Sequence, residues 1–122
     1  MPFEVATKFK TEGQRITATA ADASAQVIYT CPNNFSAVVK FLNISSGAIA
    51  NKRIYIQLYF DDLSQYDYLL NGYDMSAHSS FNILNGTVFS LHQKDKIVVY
   101  TDSANNFDIV VSVDEYFDPA RK

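Results

Sequence analysis

The histidines are the first residues of this sequence to consider for chemistry, and their surroundings do not favour a catalytic or metal site. His78 and His92 each lie alone, without a second histidine or a carboxylate at the spacing that a zinc site requires. The Gly-x-Ser-x-Gly pattern of a hydrolase nucleophile is also missing. We therefore predict no catalytic residue, no metal and no cofactor, and we do not expect an enzyme.

The acidic residues form two further groups. The first comprises Asp61, Asp62, Asp67 and Asp74. A loop in that region could bring carboxylates to a calcium ion, but the glycine and glutamate of an EF-hand loop are missing, so a solvated turn is the better interpretation. The second group is the adjacent pair Asp114 and Glu115, and neighbouring strand residues point to opposite faces. We do not expect this pair to act as a catalytic acid and base.

Size, charge and cysteine content exclude several classes of protein. The chain has 122 residues, 10 Lys and Arg against 13 Asp and Glu, and one cysteine. This length suits one domain with its own core, and Cys31, beside Pro32, is expected to be an inert, buried thiol. A net charge of −3 lacks the basic footprint of a nucleic-acid binder. Without an apolar run of about 20 residues or a basic leader, we expect a soluble, unexported protein made in the cytoplasm, with no membrane partner.

Period-two alternation predicts strands throughout the chain. In residues 53–60, Ile54, Ile56, Leu58 and Phe60 alternate with more polar residues, and 107–113 repeats the pattern. Shorter runs rich in β-branched and aromatic residues predict further strands at 14–20, 26–31, 37–44, 65–70, 79–84, 87–91 and 96–101. Asn71-Gly72 and Asn85-Gly86 are predicted turns.

Nine short strands predict an all-β fold, an antiparallel two-sheet sandwich that is jelly-roll-like. We predict a sandwich domain at residues 13–122 and a short extended N-terminal arm at 1–12. The lead contains Phe3 and Phe9 among polar residues. A disordered tail is one interpretation, but two large apolar anchors favour an arm that docks on a neighbouring molecule.

The tyrosines are the most informative side chains. Tyr55 and Tyr59 fall on the outward face of the strand at 53–60, and Tyr66 and Tyr68 follow in the next strand. Tyrosine is enriched in protein interfaces because it buries a large ring and keeps a hydroxyl for a polar partner. We predict interface residues at Phe3, Phe9, Tyr55, Tyr59, Tyr66 and Tyr68. Covering of the tyrosines by a second sheet or a loop of the same subunit is an equally good interpretation, and stacking on a sugar is a third.

Four segments resemble small β-sandwich virion proteins of tailed bacteriophages. They are residues 26–32 (QVIYTCP), 38–46 (VVKFLNISS), 91–100 (LHQKDKIVVY) and 108–116 (DIVVSVDEY). The resemblance covers roughly residues 14–118 as a pattern of strands and turns. A Gly-Asp turn commonly precedes the penultimate strand of such proteins, and Lys94-Asp95 stands in that place here.

The resemblance implies a structural role in a virion. Proteins of this group include head-decoration (cement) proteins, often trimers, as well as tail, collar and fibre components. We therefore expect a decoration protein on the capsid surface, with itself, as a homotrimer, and the major capsid protein as partners. The alternatives are a tail, collar or tail-tip adaptor of the same virion class and a carbohydrate-binding jelly roll.

Overall fold

The structure is a computed structural model and describes residues 8–118, which form nine β-strands and no α-helix. The strands are β1 (Lys8–Ile16), β2 (Gln26–Thr30), β3 (Phe35–Ser46), β4 (Lys52–Phe60), β5 (Gln65–Met75), β6 (Ser80–Asn82), β7 (Phe89–Leu91), β8 (Lys96–Thr101) and β9 (Phe107–Phe117). A short 3₁₀ turn at Asp22–Ser24 precedes β2. Each of the nine predicted strands overlaps one observed strand, and the predicted all-β sandwich is confirmed.

The strands form two antiparallel sheets. Sheet A has the order β1-β9-β3, and both β6 and β7 pair with the far side of β3. Sheet B has the order β2-β8-β4-β5. Most successive strands cross from one sheet to the other, which is the strand order of a jelly roll.

The core lies between the two sheets because the alternating apolar residues of each strand point inward. In β4 the inward residues Ile54 and Ile56 are fully buried, as the alternation in the sequence predicts. They meet inward residues from β3, β8 and β9 in one continuous cluster. Its largest buried members include Phe107, Ile16, Leu42, Ile44, Ile97 and Ile109.

The start of the sandwich differs from the predicted domain division. β1 begins at Lys8 and pairs with β9 in an unbroken register from Lys8 opposite Glu115 to Ile16 opposite Phe107. Residues 8–12 of the predicted arm at 1–12 are therefore part of this edge strand. These residues are mostly polar, because the outer face of an edge strand is exposed and its inner face lies at the rim of the core. The alternation of apolar residues therefore did not predict a strand here. Residues 1–7, including Phe3, lie outside the described residues.

One of the two predicted turns is wrong. β5 continues through Asn71-Gly72 to Met75, and Gly72 has φ +77° where the register between β4 and β5 shifts. A glycine with positive φ serves a bulge as well as a hairpin, so the dipeptide alone does not separate them. Asn85-Gly86 is a turn as predicted: both residues have positive φ, and the Thr87 N–H donates to the Leu84 carbonyl at 3.0 Å.

Candidate interaction surface

Five tyrosines lie together on the outer face of sheet B, and we call them the tyrosine surface. They are Tyr55, Tyr59, Tyr66, Tyr68 and Tyr100. Strand register explains the grouping, because Tyr55 is directly opposite Tyr100 of β8 and Tyr59 is directly opposite Tyr66 of β5. Directly opposed residues share a face of the sheet and lie within contact distance. The structure thus brings four of the six predicted interface residues together.

Tyr55 is at the centre of the first half of this surface. Its ring stacks on Tyr100 with centroids 4.4 Å apart and an interplanar angle of 3°. The ring centroids of Tyr68 and Tyr55 are 6.5 Å apart, and the Tyr68 hydroxyl is hydrogen-bonded to the Tyr100 hydroxyl at 2.6 Å. Burial, followed by this hydrogen bond, raises the pKa of Tyr100 well above the ordinary tyrosine value. The three rings and two hydroxyls therefore hold one another in place.

The bulge at Gly72 makes room for the Tyr55 ring. A Cβ atom added at Gly72 would lie 3.2 Å from the Tyr55 Cε2 atom, closer than side chains normally approach. The ring of Tyr55 thus fills the place of the side chain that glycine lacks, an arrangement known to stabilise glycines in sheets. The Asn71-Gly72 bulge is part of the tyrosine surface, which sequence reasoning did not anticipate.

The second half of the surface is formed by Tyr59, Tyr66 and Lys96. The two rings are 4.7 Å apart at an angle of 43°. The Lys96 ammonium lies 5.4 Å from the centroid of Tyr59, within the range of a cation–π contact. This end of the surface combines aromatic area with a positive charge.

Gln57 lies between the two halves along β4 and is only 1% exposed although its strand position is outward. The Asp22 N–H donates to its Oε1 at 2.9 Å, and its Nε2 donates to the Asp22 carboxylate at 2.8 Å. The 3₁₀ turn therefore covers Gln57. Sheet A packs on the opposite face of sheet B, so it does not cover the tyrosines.

The remaining predicted residues are elsewhere or undescribed. Phe9 is on the outer face of sheet A and is 73% exposed, with the Lys40 ammonium 5.8 Å from its ring. Sequence reasoning missed Tyr100, although the alternation within residues 96–101 places it outward beside Tyr55.

The acidic pair at the end of β9 is split between the two faces, as the sequence predicts. Asp114 is on the outer face and pairs with Lys40 at 3.1 Å. Glu115 is fully buried, accepts a hydrogen bond from the Tyr29 hydroxyl at 2.5 Å, and lies 3.6 Å from the Lys10 ammonium. Burial, with the bond to Glu115, raises the pKa of Tyr29 far above its ordinary value. This cluster ties β1, β2 and β9 together inside the sandwich.

Two other candidate residues, Cys31 and Asp95, are held in contacts that stabilise the fold. Cys31 is fully buried, as predicted, and burial raises the pKa of its thiol to about 12. Asp95 accepts the backbone N–H groups of Asp61 and His92, each at 3.0 Å, and so braces two turns. Within residues 8–118, no group of three or more His, Cys, Asp or Glu side chains is placed to hold a metal ion. No helix in the same range is long and apolar enough to cross a membrane.

No family model and no curated protein matches this chain. Among solved structures it is similar to two of a pentameric capsid protein isolated from metagenomic phage sequences, with TM-scores of 0.44 and 0.43 and sequence identities of 17% and 18%. The match covers 92% of this chain but only 65% and 62% of those capsid chains. It is also similar to the globular domain of zebrafish complement 1qA, with a TM-score of 0.42 and 12% identity over 93% of this chain and 98% of that chain.

The class defined by the fold itself is an antiparallel β-sandwich with jelly-roll strand order.

Proposed function

We propose that this protein is a structural component of a phage virion, a decoration protein that binds the assembled head and stabilises it. The observation that carries the proposal is the tyrosine surface, an ordered aromatic face on the outside of one sheet. The resemblance of the segments at 26–32, 38–46, 91–100 and 108–116 to phage virion proteins supports the virion role. Self-association as a homotrimer and contact with the major capsid protein are parts of the same proposal.

The tyrosine surface is suited to protein contact because its rings are already ordered. Tyr55 and Tyr100 are stacked, and the Tyr68 hydroxyl is bonded to the Tyr100 hydroxyl. Ordering side chains on association costs about 0.5–1.5 kcal/mol for each flexible side chain, and rings already held in place lose less freedom. A sugar would need an open ring face, and Tyr55 already uses its ring against Tyr100 and Gly72. Protein contact is therefore better supported than carbohydrate binding.

Binding to the assembled head would stabilise it by mass action. A ligand that binds only one state shifts the equilibrium toward that state by an amount that grows with its concentration over its dissociation constant. Repeated sites on a lattice multiply a modest affinity at each site. A trimer would place three tyrosine surfaces around one axis, so that each copy would meet an equivalent part of the shell.

Co-sedimentation with heads tests the proposal. Purified protein is mixed with phage heads that lack it, and binding is compared between the wild type and a Tyr59→Ala/Tyr68→Ala variant. We expect the variant to bind at least about tenfold more weakly, because ring truncations at an interface centre commonly cost 1–2 kcal/mol or more each. The matched control is Tyr73→Ala, since Tyr73 is 42% exposed but stacks on Phe81 at the side of the sandwich.

Three results would contradict the proposal. They are failure of the wild type to bind heads, equal loss of binding in the control, and unchanged binding of the double variant. The copy number per virion separates head from tail placement: decoration predicts a number comparable with that of the major capsid protein, and a tail or collar part predicts far fewer copies.

A further inference from the structure

The sandwich has four sheet edges, and three of them are modified in ways that hinder pairing with another strand. Over residues 8–118, β2 has five residues and a register shift, and β5 has two register shifts. β6 and β7 have three residues each and are separated by the Asn85-Gly86 turn. Short strands and bulges are the usual protection against edge-to-edge association.

β1 is the exception. It has nine residues, its register with β9 has no shift, and no other strand within residues 8–118 pairs with its second side. A long, regular edge strand presents unpaired N–H and C=O groups as a template for another chain. β1 thus lacks the shortness and the bulges that protect the other three edges, although it carries another protection, the charged side chains of Lys8, Lys10, Glu12 and Arg15.

The backbone groups along this edge have a defined direction. The Gln26 side chain donates to the Arg15 carbonyl at 3.0 Å and accepts the Thr17 N–H at 2.7 Å, so it occupies the far end of the edge. Backbone groups of alternate strand residues point to the same side. Those of Phe9, Thr11 and Gly13 therefore point to the open edge, and Thr11 is the middle residue of this open part.

We propose that a second copy of this chain pairs with β1 in an antiparallel manner, about a two-fold axis at Thr11. In this register Thr11 is opposite Thr11 of the second copy, Lys10 is opposite Glu12, and Phe9 is opposite Gly13. The contact extends sheet A across both molecules. This two-fold contact goes beyond the proposed function and is separate from its three-fold contact: it joins copies in pairs through β1, and it would link trimers that form through another surface.

Phe9 and Gly13 have complementary shapes in this register. Both residues are on the outer face of sheet A: they are four residues apart in β1, so their side chains share a face, and Phe9 is opposite the outward Asp114. A shallow, largely open depression lies on that strand around Gly13, lined by Arg15, Asp108 and Val110 among others. Phe9 is the apolar side chain of β1 with the largest exposure, 73%. In the proposed register each Phe9 ring enters the depression of the other copy.

Charge and polarity also fit this register. Lys10 and Glu12 are of opposite sign and face each other twice in the symmetric contact, and opposite charges across antiparallel strands are favourable. Arg15, held by Asp108 through bonds of 2.9 and 3.3 Å, lies diagonal to the incoming Phe9 ring and offers it a cationic neighbour. Moving the two-fold axis by one residue, from Thr11 to Glu12, would instead place Glu12 opposite Glu12, which is repulsive.

Disulfide trapping tests the contact on the full-length protein. Directly paired residues have Cα atoms about 5.5 Å apart, within disulfide reach, so Thr11→Cys is expected to give a covalent dimer under mild oxidation. The matched control is Ser112→Cys, whose position is opposite Thr11 on the same face but one strand further from the axis. Two copies of that position would be about 14 Å apart, three strand spacings, and are expected to stay unlinked. Cys31 is buried and does not compete.

A second variant examines the register. In the Thr11→Cys background, Phe9→Ala is expected to slow dimer formation by about tenfold or more, since two buried rings are lost from each contact. Ile49→Ala in the same background truncates a side chain that is 90% exposed and is expected to leave the rate unchanged. Absence of the Thr11→Cys dimer, equal crosslinking of Ser112→Cys, or no effect of Phe9→Ala would overturn the proposal. Because purified protein suffices, this result is independent of the test with phage heads.

Discussion

The outer faces of the two sheets differ in whether an aromatic ring covers a glycine. On sheet B, the ring of Tyr55 covers Gly72 of the same chain and stacks on Tyr100. On sheet A, no ring of residues 8–118 covers Gly13, and Phe9 of the same strand is mostly exposed. The gap left by a glycine is filled within the molecule on one face and stays open on the other.

This difference separates two kinds of aromatic residue on the outer faces, since of the five tyrosines only Tyr68 is exposed and the other four are half-buried. The tyrosine rings of sheet B are in contact with one another, so their truncation should affect folding as well as binding. Among residues 8–118, the ring contact of Phe9 is with Lys40 and its side chain is 73% exposed, so it gains burial when another molecule covers it. Comparison of matched substitutions on the two faces measures this difference directly.

The largest expected effect is from ring truncation. We expect Tyr55→Ala to lower the free energy of unfolding by about 2–3 kcal/mol, because it removes the stack on Tyr100 and uncovers Gly72. Phe9→Ala should change it by less than about 0.5 kcal/mol, as is usual for exposed positions. Urea unfolding at low protein concentration, where self-association is negligible, measures both. Equal losses in the two variants would remove the contrast between the faces.

The two glycines provide the next test. Gly72→Ala should lower the free energy of unfolding by about 1–2 kcal/mol, because φ is +77° and the new Cβ would crowd the Tyr55 ring. A Cβ at Gly13 would meet Val110 Cγ2 at 3.7 Å, an ordinary contact, and no positive φ opposes it. Gly13→Ala should therefore be neutral or slightly stabilising. A loss at Gly13 as large as at Gly72 would be inconsistent with this reading of the backbone.

Alkaline pH should destabilise the protein through tyrosines inside and outside the sandwich. The pKa values of Tyr29 and Tyr100 are raised, in each case mainly by burial, so folding favours the protonated hydroxyls. The stabilisation is complete below the unfolded pKa of about 10 and is lost as pH rises above it, by at most about 1.4 kcal/mol per group and pH unit. Urea midpoints between pH 8 and 11 should fall, and Tyr29→Phe should flatten the dependence. A midpoint independent of pH in this range would contradict the prediction.

The smallest effect is expected from one hydroxyl of the tyrosine surface. Tyr68→Phe removes the hydrogen bond to Tyr100 and should lower the free energy of unfolding by about 1 kcal/mol. It should also lower the pKa of Tyr100, which stays above the ordinary value because burial is the larger cause. Ultraviolet titration of the phenolates detects the change. Tyr66→Phe, with no hydroxyl bond between Tyr66 and Tyr100 to remove, is the control.

Much of the fold was predictable because alternation along a strand is a local property. Residues 53–60 show the inward and outward faces directly, and the structure places Ile54, Ile56, Tyr55 and Tyr59 on the expected sides. The divided pair Asp114 and Glu115 followed from the same reasoning, whereas the expectation for Cys31 came from its residue type and its place beside Pro32.

A short sequence pattern that is compatible with two local structures does not predict which of them forms. Asn71-Gly72 suits a hairpin or a bulge, and pairing of β5 with β4 on both sides of it selects the bulge. The turn before β8 shows the opposite, because it forms without a glycine. Lys94 has φ +69° there, a conformation that glycine adopts more readily. Its neighbour Asp95 holds the turn through the N–H groups of His92 and Asp61, a contact between distant segments.

By itself, the sequence determined the strands, their inward faces and the outward direction of four tyrosines, because side-chain direction alternates whatever the strand pairs with. Only the tertiary structure decided which strands are neighbours. Pairing of β4 with β8 brought Tyr100 onto Tyr55, and in the described part of the chain β1 pairs with β9 alone, which leaves a regular edge open. Contacts between strands depend on sheet order and register, which are set by burial of the whole core and not by any one segment.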